Sequence, residues 1–548
     1  MVKRYTRYLE VVVPARAWRF NSSSRHKVML SRKNFWELIL IAIIGVFLVA
    51  SITSSLFSMV NTPFNEFDEA HRAENAKRMR EYGSFLTPIS GSVFDRALNF
   101  RVPFEGDGFK FLYYHLERPP LIYDLMILST LVFGSSELAY RLPSFLLGLA
   151  LIVAFIFFIK KLPERFSIYS FFLALVCLLT SIDLWLSSQY AQLDTGLSFF
   201  LFVALLSLIF FISQKKEAYL FASAIGFALA VLSKGQPAVI FLPVLAFLLL
   251  TKKLGFKPLL RYVLYSSIII APWVVYNSIK FGLVPFLQTF IEFGFTSVSQ
   301  EVVHHQAPFF WYARWWWDSF RPGWSLFLVF LAIDVIKRRI DWRKATLLVY
   351  ILVNLFFFSV SDNKLWWYIL PLVPAVCFYI YLSARDYLSD KRVLVNLGLA
   401  IIIASIPPLV GASNRIAIFY GIFYTLMVFG LLSVIKTSKV NIKFKALFVC
   451  AIAFSLLSFY IRFPKIIPYH WNVKDSALYF AGLPGSKCLW IYDIPTESVL
   501  FYSDSGEIYT YNSDSKPFGH CTNYIMTSTR LPLLDMEYRK GNMRLYKF

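Results

Sequence analysis

Pro63–Gly83, PFNEFDEAHRAENAKRMREYG, is the stretch on which the reading of this chain turns. It is the first strongly charged sequence after an apolar run from about Phe35 to Phe57. It sets Glu66, Asp68, Glu69 and Glu74 among His71, Arg72, Lys77, Arg78 and Arg80. A helix starting at Asp68 lines up Asp68, Arg72 and, one turn further, Asn75 on one side. It also places Asp68 at the positive end of the helix dipole. Taken alone, the stretch reads as a solvated helix beside a membrane, held by i,i+4 ion pairs. The sharper reading is a carboxylate presented for chemistry at a membrane surface, and the rest of the chain decides between them.

The 548 residues are 57% hydrophobic and 16% charged, with a mean hydropathy of +0.57. Soluble chains carry about 25% charged residues, so most of this protein sits in lipid. The 56 Phe, 31 Tyr and 14 Trp suit lipid contact and interfacial belts. A net charge of +22 would raise nucleic acid in a soluble protein. Here the charge lies in short loops between apolar segments, which is the positive-inside pattern and excludes that partner. The VVV at 11–13 is too short for a signal peptide and the first long segment lacks a small-residue cleavage site, so Phe35–Phe57 is expected to be a retained anchor.

Residues 1–34 hold nine Lys/Arg against one Glu, which places this basic segment in the cytoplasm and the Asp68 stretch on the opposite face. The first outer loop, 61–141, contains one apolar run, Leu121–Phe133, of 13 residues. That is short of the roughly 20 needed to span, so the run is expected to be a juxtamembrane helix. Spans are then expected at about Leu142–Ile159, Phe166–Trp185, Thr195–Ile212, Ala218–Leu232, Ala238–Leu250 and Tyr262–Tyr276. A second long outer loop, 277–321, precedes the remaining spans, which include Ala345–Val360 and Ala446–Ile461. With this count every inner loop is basic, carrying three, two, four, five, three and four Lys/Arg in turn. If Leu121–Phe133 spanned, all of them would move outside.

The expected fold class is therefore an α-helical polytopic membrane protein with about 13 transmembrane helices over 35–461, N-terminus in and C-terminus out. Residues 462–548 are mixed in charge, with strand-like runs such as CLWIYDI and CTNYIMTST, and read as a small extracytoplasmic α/β domain. Cys488 and Cys521 both lie there, and an oxidising compartment would allow them to pair. Cys177, Cys377 and Cys450 fall in apolar helices, where Cys acts as a small apolar side chain. There is no internal repeat, Walker loop, dinucleotide fingerprint or metal-type Cys spacing.

This topology collects polar motifs on one face: Asp68 and Glu69, YYHLERPPLIY at 113–123, SSQYAQLDTG with Asp194, and SKGQP with Lys234. HHQAP with His304 and His305, and Asp362 with Lys364, join them. Any one of these ionisable residues alone reads as structural or snorkelling, but ionisable groups near a membrane default to functional hypotheses. Lys234, Arg118 and Lys364 suit a departing phosphate. Asp68 suits a general base on an incoming hydroxyl, or steadying positive charge at a sugar carbon.

These motifs resemble the GT-C glycosyltransferases that use polyprenyl-phosphate-linked sugars, the group of the protein O-mannosyltransferases and the lipid A aminoarabinose transferase. The resemblance runs from about 35 to 385 through FDEAHRAENAKRMREYGSFLTP, ERPPL, FGSSELAYRLPSFLLG, LDTGLSFF, LAVLSKGQP, HHQAPFFWYA and KLWWYILP. It implies Asp68 as the principal catalytic carboxylate, with Glu69 and Asp194 beside it. It implies a donor phosphate held by Arg118, Lys234 and Lys364, and substrate contacts from His71, Arg72, Tyr114 and Tyr123. Glu117 and His305 match a metal-binding pair, for Zn, Mg or Mn, although two ligands fall short of a structural zinc site. Without the resemblance, Asp194 reads equally well as a helix N-cap. His71 stands where the aminoarabinose branch usually has Arg, and Arg118 where it has Lys, which opens the choice of substrate.

The function expected is transfer of a sugar from a polyprenyl phosphate, such as undecaprenyl phosphate, to lipid A or lipopolysaccharide on the outer face of a bacterial inner membrane. A cell-wall glycan or a protein hydroxyl are the alternative acceptors. A transporter or flippase for a lipid-linked sugar is the rival class. Transporters place their charges near the midplane on broken helices and usually show internal repeats.

Overall fold

The computed structural model describes residues 32–64, 68–90, 102–103, 113–299, 307–361, 364–387, separate positions between 452 and 459, and most of 471–547. Glu66, His304, His305, Asp362 and the expected spans between 388 and 445 lie outside the described residues. Within them the chain is a helical bundle followed by a small sheet.

The first helix, α1 (Arg32–Asn61), leads into α2 (Asp68–Glu81), which starts at Asp68 as its charged first turn suggests. Residues 89–114 include a small antiparallel ribbon, β1 (Ile89–Ser90), β2 (Val102–Pro103) and β3 (Tyr113–Tyr114), ordered β1-β3-β2. Pro119–Pro120 ends this ribbon and α3 (Leu121–Phe133) follows over the expected 13 residues. It packs Ile122, Tyr123, Met126 and Ile127 against α2 and α4 (Glu137–Lys161) and leaves Leu128, Leu131 and Val132 exposed. Ser136 caps α4 by accepting the Ala139 N–H, as a Ser before Glu at a helix start should.

Among the described residues, seven helices are long and apolar enough to cross a membrane, or nine if each of two bent pairs crosses once. The span expected at Phe166–Trp185 is one of the bent pairs. It divides into α5 (Ile168–Leu179) and α6 (Ile182–Gln189) at a 52° bend. The cause is local: the Thr180 hydroxyl bonds back to the Val176 carbonyl at 2.8 Å, and Ser181 caps α6 through the Leu184 N–H. Then α7 (Leu193–Gln214) and α8 (Glu217–Lys234) form a tight hairpin. A Cβ on Gly226 would lie 2.9 Å from the Ala204 nitrogen and the Phe200 oxygen, so only glycine permits that approach.

The span expected at Ala238–Leu250 is a 3₁₀ turn (Gln236–Phe241) running into the short α9 (Leu242–Leu250). Gly235, at φ +80°, and Pro237 break the helix there. The run that follows, α10, extends over Phe256–Phe281, past the expected end at Tyr276. Much of the stretch 277–321, expected as the second outer loop, is helical, as α11 (Leu283–Ser299) and α12 (Trp311–Ser319), the latter bent by 118° from α13 (Arg321–Ile336). Next come α14 (Trp342–Leu348), a π segment (Val349–Val353) and α15 (Asn354–Val360), then a 3₁₀ turn (Trp366–Leu372) and α16 (Val373–Tyr387).

Beyond α17 (Trp471–Gly482), β4 (Lys487–Tyr492), β5 (Glu507–Thr510), β6 (Thr522–Thr527), β7 (Asp535–Lys540) and β8 (Met543–Lys547) form one sheet, ordered β5-β4-β6-β8-β7. The β4 pairings with β5 and β6 are parallel, and those of β8 antiparallel. Val473, Ala477 and Phe480 of α17 pack on Leu489, Met526 and Leu545. A Cys488–Cys521 disulfide ties β4 to the residue before β6, with the Cα atoms 5.8 Å apart.

This C-terminal unit is latched to the bundle by Phe501, Tyr502 and Lys474. The Phe501 ring meets Phe64 and Tyr140 edge-on, at 4.6 and 5.3 Å between centroids. The Tyr502 hydroxyl accepts the Phe64 N–H at 2.9 Å and donates to Glu137 at 3.0 Å, while Lys474 pairs with the same Glu137.

Candidate active site

Little of α2 is solvated. Glu69, Arg72, Glu74, Asn75 and Arg78 are all buried, and Arg78 is bridged to Glu74 at 2.9 Å and Glu81 at 2.8 Å. The i,i+4 pairs expected of a surface helix are present, but they sit inside the protein. Two adjacent carboxylates then take different directions. Glu69 is buried and grips Arg141 of α4 with both oxygens, at 2.7 and 3.0 Å, and also accepts the Ala191 N–H at 3.0 Å. Asp68 keeps a side chain 30% exposed and pairs with Arg72 at 3.1 Å. That leaves Arg72 Nη1 buried and without a hydrogen-bond partner among the described residues.

Arg141 also donates to the carbonyls of Met59, Thr62 and Pro63, so one side chain gathers the end of α1, the approach to α2 and, through Glu69, the α6–α7 junction. Ser144 closes the same junction by bonding the backbone of Gln192. Just past the Ala191 contact, Asp194 opens α7, and its carboxylate pairs with Lys234 from the last turn of α8. Each charge sits at the helix end whose dipole favours it. The side chain of Asp194 is therefore spent on Lys234, and α7 begins without a side-chain cap.

Arg118 lies over the Phe293 ring at 4.8 Å, and Lys234 over the Tyr368 ring at 4.9 Å. Burial works against the Arg118 charge, yet Tyr123, Glu117 and Asp68 around it hold its pKa above the ordinary value. Burial pushes the Tyr123 phenol up despite Arg118 and Arg72 nearby, so it stays a neutral donor. Tyr368 feels the charges of Asp68, Asp194, Arg118 and Arg72 at once. Arg118, Asp194, Lys234 and Tyr368 share the lining of a cavity of about 540 Å³ with Phe290, Phe293, Phe357 and Phe358, which make much of it apolar.

Arg118, Asp194 and Lys234 therefore meet in the lining of one cavity, with Asp68, Arg72 and Tyr123 within electrostatic reach of them. Tyr114 turns the other way, accepting from Lys280 at 3.1 Å under a cation–ring contact of 4.3 Å. Lys364 donates to the Ser361 carbonyl at 2.5 Å, and Ser361 is the cavity-lining residue there. His71 meets His115 edge-on at 5.4 Å. Glu117 bonds the Nδ1 of that His115 at 2.9 Å, while its expected partner His305 lies outside the described residues. No three His, Cys, Asp or Glu gather for a metal among the described residues.

Sequence reasoning passed over His115, Arg141, Gln236 and Tyr368. All four stand inside quoted motifs: His115 in YYHLERPPLIY, Arg141 in FGSSELAYRLPSFLLG, Gln236 in SKGQP and Tyr368 in KLWWYILP. Gln236 donates to the Phe290 carbonyl at 2.7 Å and so fixes α11 to the cavity. Arg141, in FGSSELAYRLPS, looks like any helix-end cation, and only its partners mark it.

Residues 117–276 match the dolichyl-phosphate-mannose-protein mannosyltransferase family. Two uncharacterized proteins of Aquifex aeolicus (strain VF5) are 26% identical over 357 residues and 31% identical over 309, covering 63% and 53% of this chain. The chain spans 64% and 65% of their lengths, just under two thirds. The crystal structure of ArnT from Cupriavidus metallidurans in the apo state superposes with a TM-score of 0.63 at 15% identity, over 92% of this chain and 97% of that one. The same protein bound to undecaprenyl phosphate gives 0.62 over the same shares. The chain is thus similar over residues 117–276 to that mannosyltransferase family and shares the fold of ArnT.

Proposed function

We propose that this protein is a membrane glycosyltransferase that moves a sugar from a polyprenyl phosphate to an acceptor on the extracytoplasmic face of a bacterial plasma membrane. The observation that carries the reading is one largely apolar cavity that also takes Arg118, Lys234 and Asp194 into its lining, with Asp68 and Arg72 close by. The apolar walls suit a prenyl chain and the cations its phosphate. The likeness in fold to ArnT, seen bound to undecaprenyl phosphate, supports that choice of carrier.

In this reading Arg118 and Lys234 bind the phosphate and stabilise the charge it gains when the sugar–oxygen bond breaks. Asp194 holds Lys234 in place until the phosphate arrives, and keeps a buried ammonium paired meanwhile. Arg72 orients Asp68 and turns its second amino group toward the same charge. Asp68 takes the proton of an acceptor hydroxyl. If the acceptor is itself a phosphate, as on lipid A, no proton need be removed and Asp68 steadies the positive charge at the sugar carbon. Glu69 acts through Arg141 by positioning α2. The topology belongs to the proposal: about 13 spans, basic loops inside, and the C-terminal sheet outside, where an oxidising compartment keeps Cys488–Cys521 closed.

The test is a comparison of envelope lipid, glycan and glycoprotein fractions by mass spectrometry, with wild-type protein, without it, and with Asp68→Asn. A sugar-sized mass lost from one fraction in both deficient samples is the expected result. Unchanged fractions with a lipid-linked sugar trapped on the inner face would replace the transferase with a flippase. A tag at Phe548 should be labelled on spheroplasts before permeabilisation.

A further inference from the structure

We infer that the chain carries a second binding site, for the phosphate headgroup of an anionic phospholipid, far in sequence from Asp68 and built from the turns that end α7 and α9. A cavity of about 460 Å³ is lined there by Lys215, Lys252, Lys253, Trp342 and Arg343. Four cations and one indole ring around a single cavity are a phosphate-binding composition.

Three further observations point to a ligand. Of the four cations, Arg343 is already held by Glu164 and by Asp341 at 3.2 Å. Lys215, Lys252 and Lys253 have no carboxylate partner among the described residues, and the ring contacts there are Phe211 under Lys215 and Trp342 under Lys253, each at 5.9 Å. Nearby Glu217 is engaged elsewhere, by Arg261 at 2.8 Å. The site therefore holds uncompensated positive charge.

The backbone adds a second argument. Lys215 and Lys252 have φ of 57° and 55°, the left-handed region where glycine or asparagine is the usual choice. Each lies at the end of a helix, a place where glycine would cap without strain. Charged side chains stand there at the expense of the backbone, and both reach the same cavity.

The third observation selects a lipid over free phosphate. The turn with Lys252 and Lys253 is bracketed by Leu250, 83% exposed, and Phe256, 75% exposed. Apolar side chains so bare on a membrane protein meet acyl chains, and here they stand on either side of the lysine turn in sequence. A bound lipid lays its phosphate among the lysines and its chains along Leu250 and Phe256.

The test uses the full-length protein in a neutral detergent, titrated with short-chain phosphatidylglycerol, phosphatidylcholine or inorganic phosphate, with native mass spectrometry as the readout. The variant is Lys215→Asn, Lys252→Asn and Lys253→Gln together. Asparagine tolerates the left-handed conformation, so the change removes charge without straining the turns. The control is Lys160→Gln, Lys161→Gln and Arg165→Gln, an equal loss of charge on another loop. Phosphatidylglycerol should bind wild type saturably at one site, roughly fivefold more weakly for each cavity lysine removed and roughly a hundredfold for all three. The control should keep wild-type affinity. Equal loss in the control would reduce the site to diffuse surface charge. Phosphatidylcholine binding as well would remove the headgroup selectivity, and inorganic phosphate binding as tightly would remove the lipid.

Discussion

Glu69→Gln tests whether the residue beside Asp68 reacts or holds. In the wild-type protein the Glu69 and Arg141 side chains are 1% and 2% exposed and joined by two bonds of 2.7 and 3.0 Å. Glutamine keeps the shape and one acceptor but removes the charge, leaving the guanidinium buried and uncompensated. Breaking a buried pair in this way costs about 3–5 kcal/mol. Arg141→Met should cost at least as much. It strips the donor from the carbonyls of Met59, Thr62 and Pro63, each worth about 1 kcal/mol, and leaves the carboxylate buried alone. The double variant removes both charges, so its loss should fall short of the sum by about 2 kcal/mol or more. The assay is denaturant unfolding of the purified protein in detergent, run beside transfer turnover on the same preparations. Since α2 begins one residue before Glu69, turnover should fall with stability in the single variants and recover partly in the double one. Wild-type stability in Glu69→Gln with turnover abolished would refute the positional role and make Glu69 a chemical participant.

Further expectations follow from the same geometry. Lys234→Ala should weaken donor binding about tenfold or more, read as donor affinity with Asp68→Asn as the inactive background; unchanged affinity would take the phosphate off Lys234. Burial pushes the Asp124 carboxyl up to about 7, with one oxygen buried and lacking a partner among the described residues. A carboxyl whose folded pKa is raised binds more protons in the native state, so stability falls as pH climbs from about 4 through 7. Asp124→Asn should therefore raise the unfolding midpoint at pH 8 and leave it nearly unchanged at pH 4, and equal shifts at both would deny the titration. Tyr502→Phe removes the hydroxyl shared by Phe64 and Glu137 and should cost about 1–2 kcal/mol. It should also increase protease access to the C-terminal sheet, whereas unchanged cleavage would mean that the Phe501 and Lys474 contacts hold the latch without that hydroxyl.

Much of this protein is legible in its residues. Hydropathy and the placement of Lys and Arg read as a polytopic chain, because lipid tolerates only helices that satisfy their own backbone. The start of α2 at Asp68 and the 13-residue length of α3 follow from local signals, a charged first turn and a proline pair before an apolar run. The breaks at Thr180–Ser181 and Gly235–Pro237 are local too, but hydropathy averages over such breaks and reads straight through them.

What tertiary structure alone decided is which of two neighbouring carboxylates is buried in an ion pair and which stays partly open. Asp68 and Glu69 differ by one residue, hence by about 100° around a helix, and nothing nearby in sequence says which direction is inward. The answer lies in Arg141, 72 residues away, which claims Glu69 and leaves Asp68 partly open. The convergence of Arg118, Asp194, Lys234 and Tyr368 has the same origin, since each is placed by the packing of a different helix end. So does the latch by Phe501 and Tyr502, whose partners lie more than 360 residues back along the chain. Sequence carries composition and local periodicity, whereas the neighbours of a buried charge are set by helices that meet only after the chain has folded.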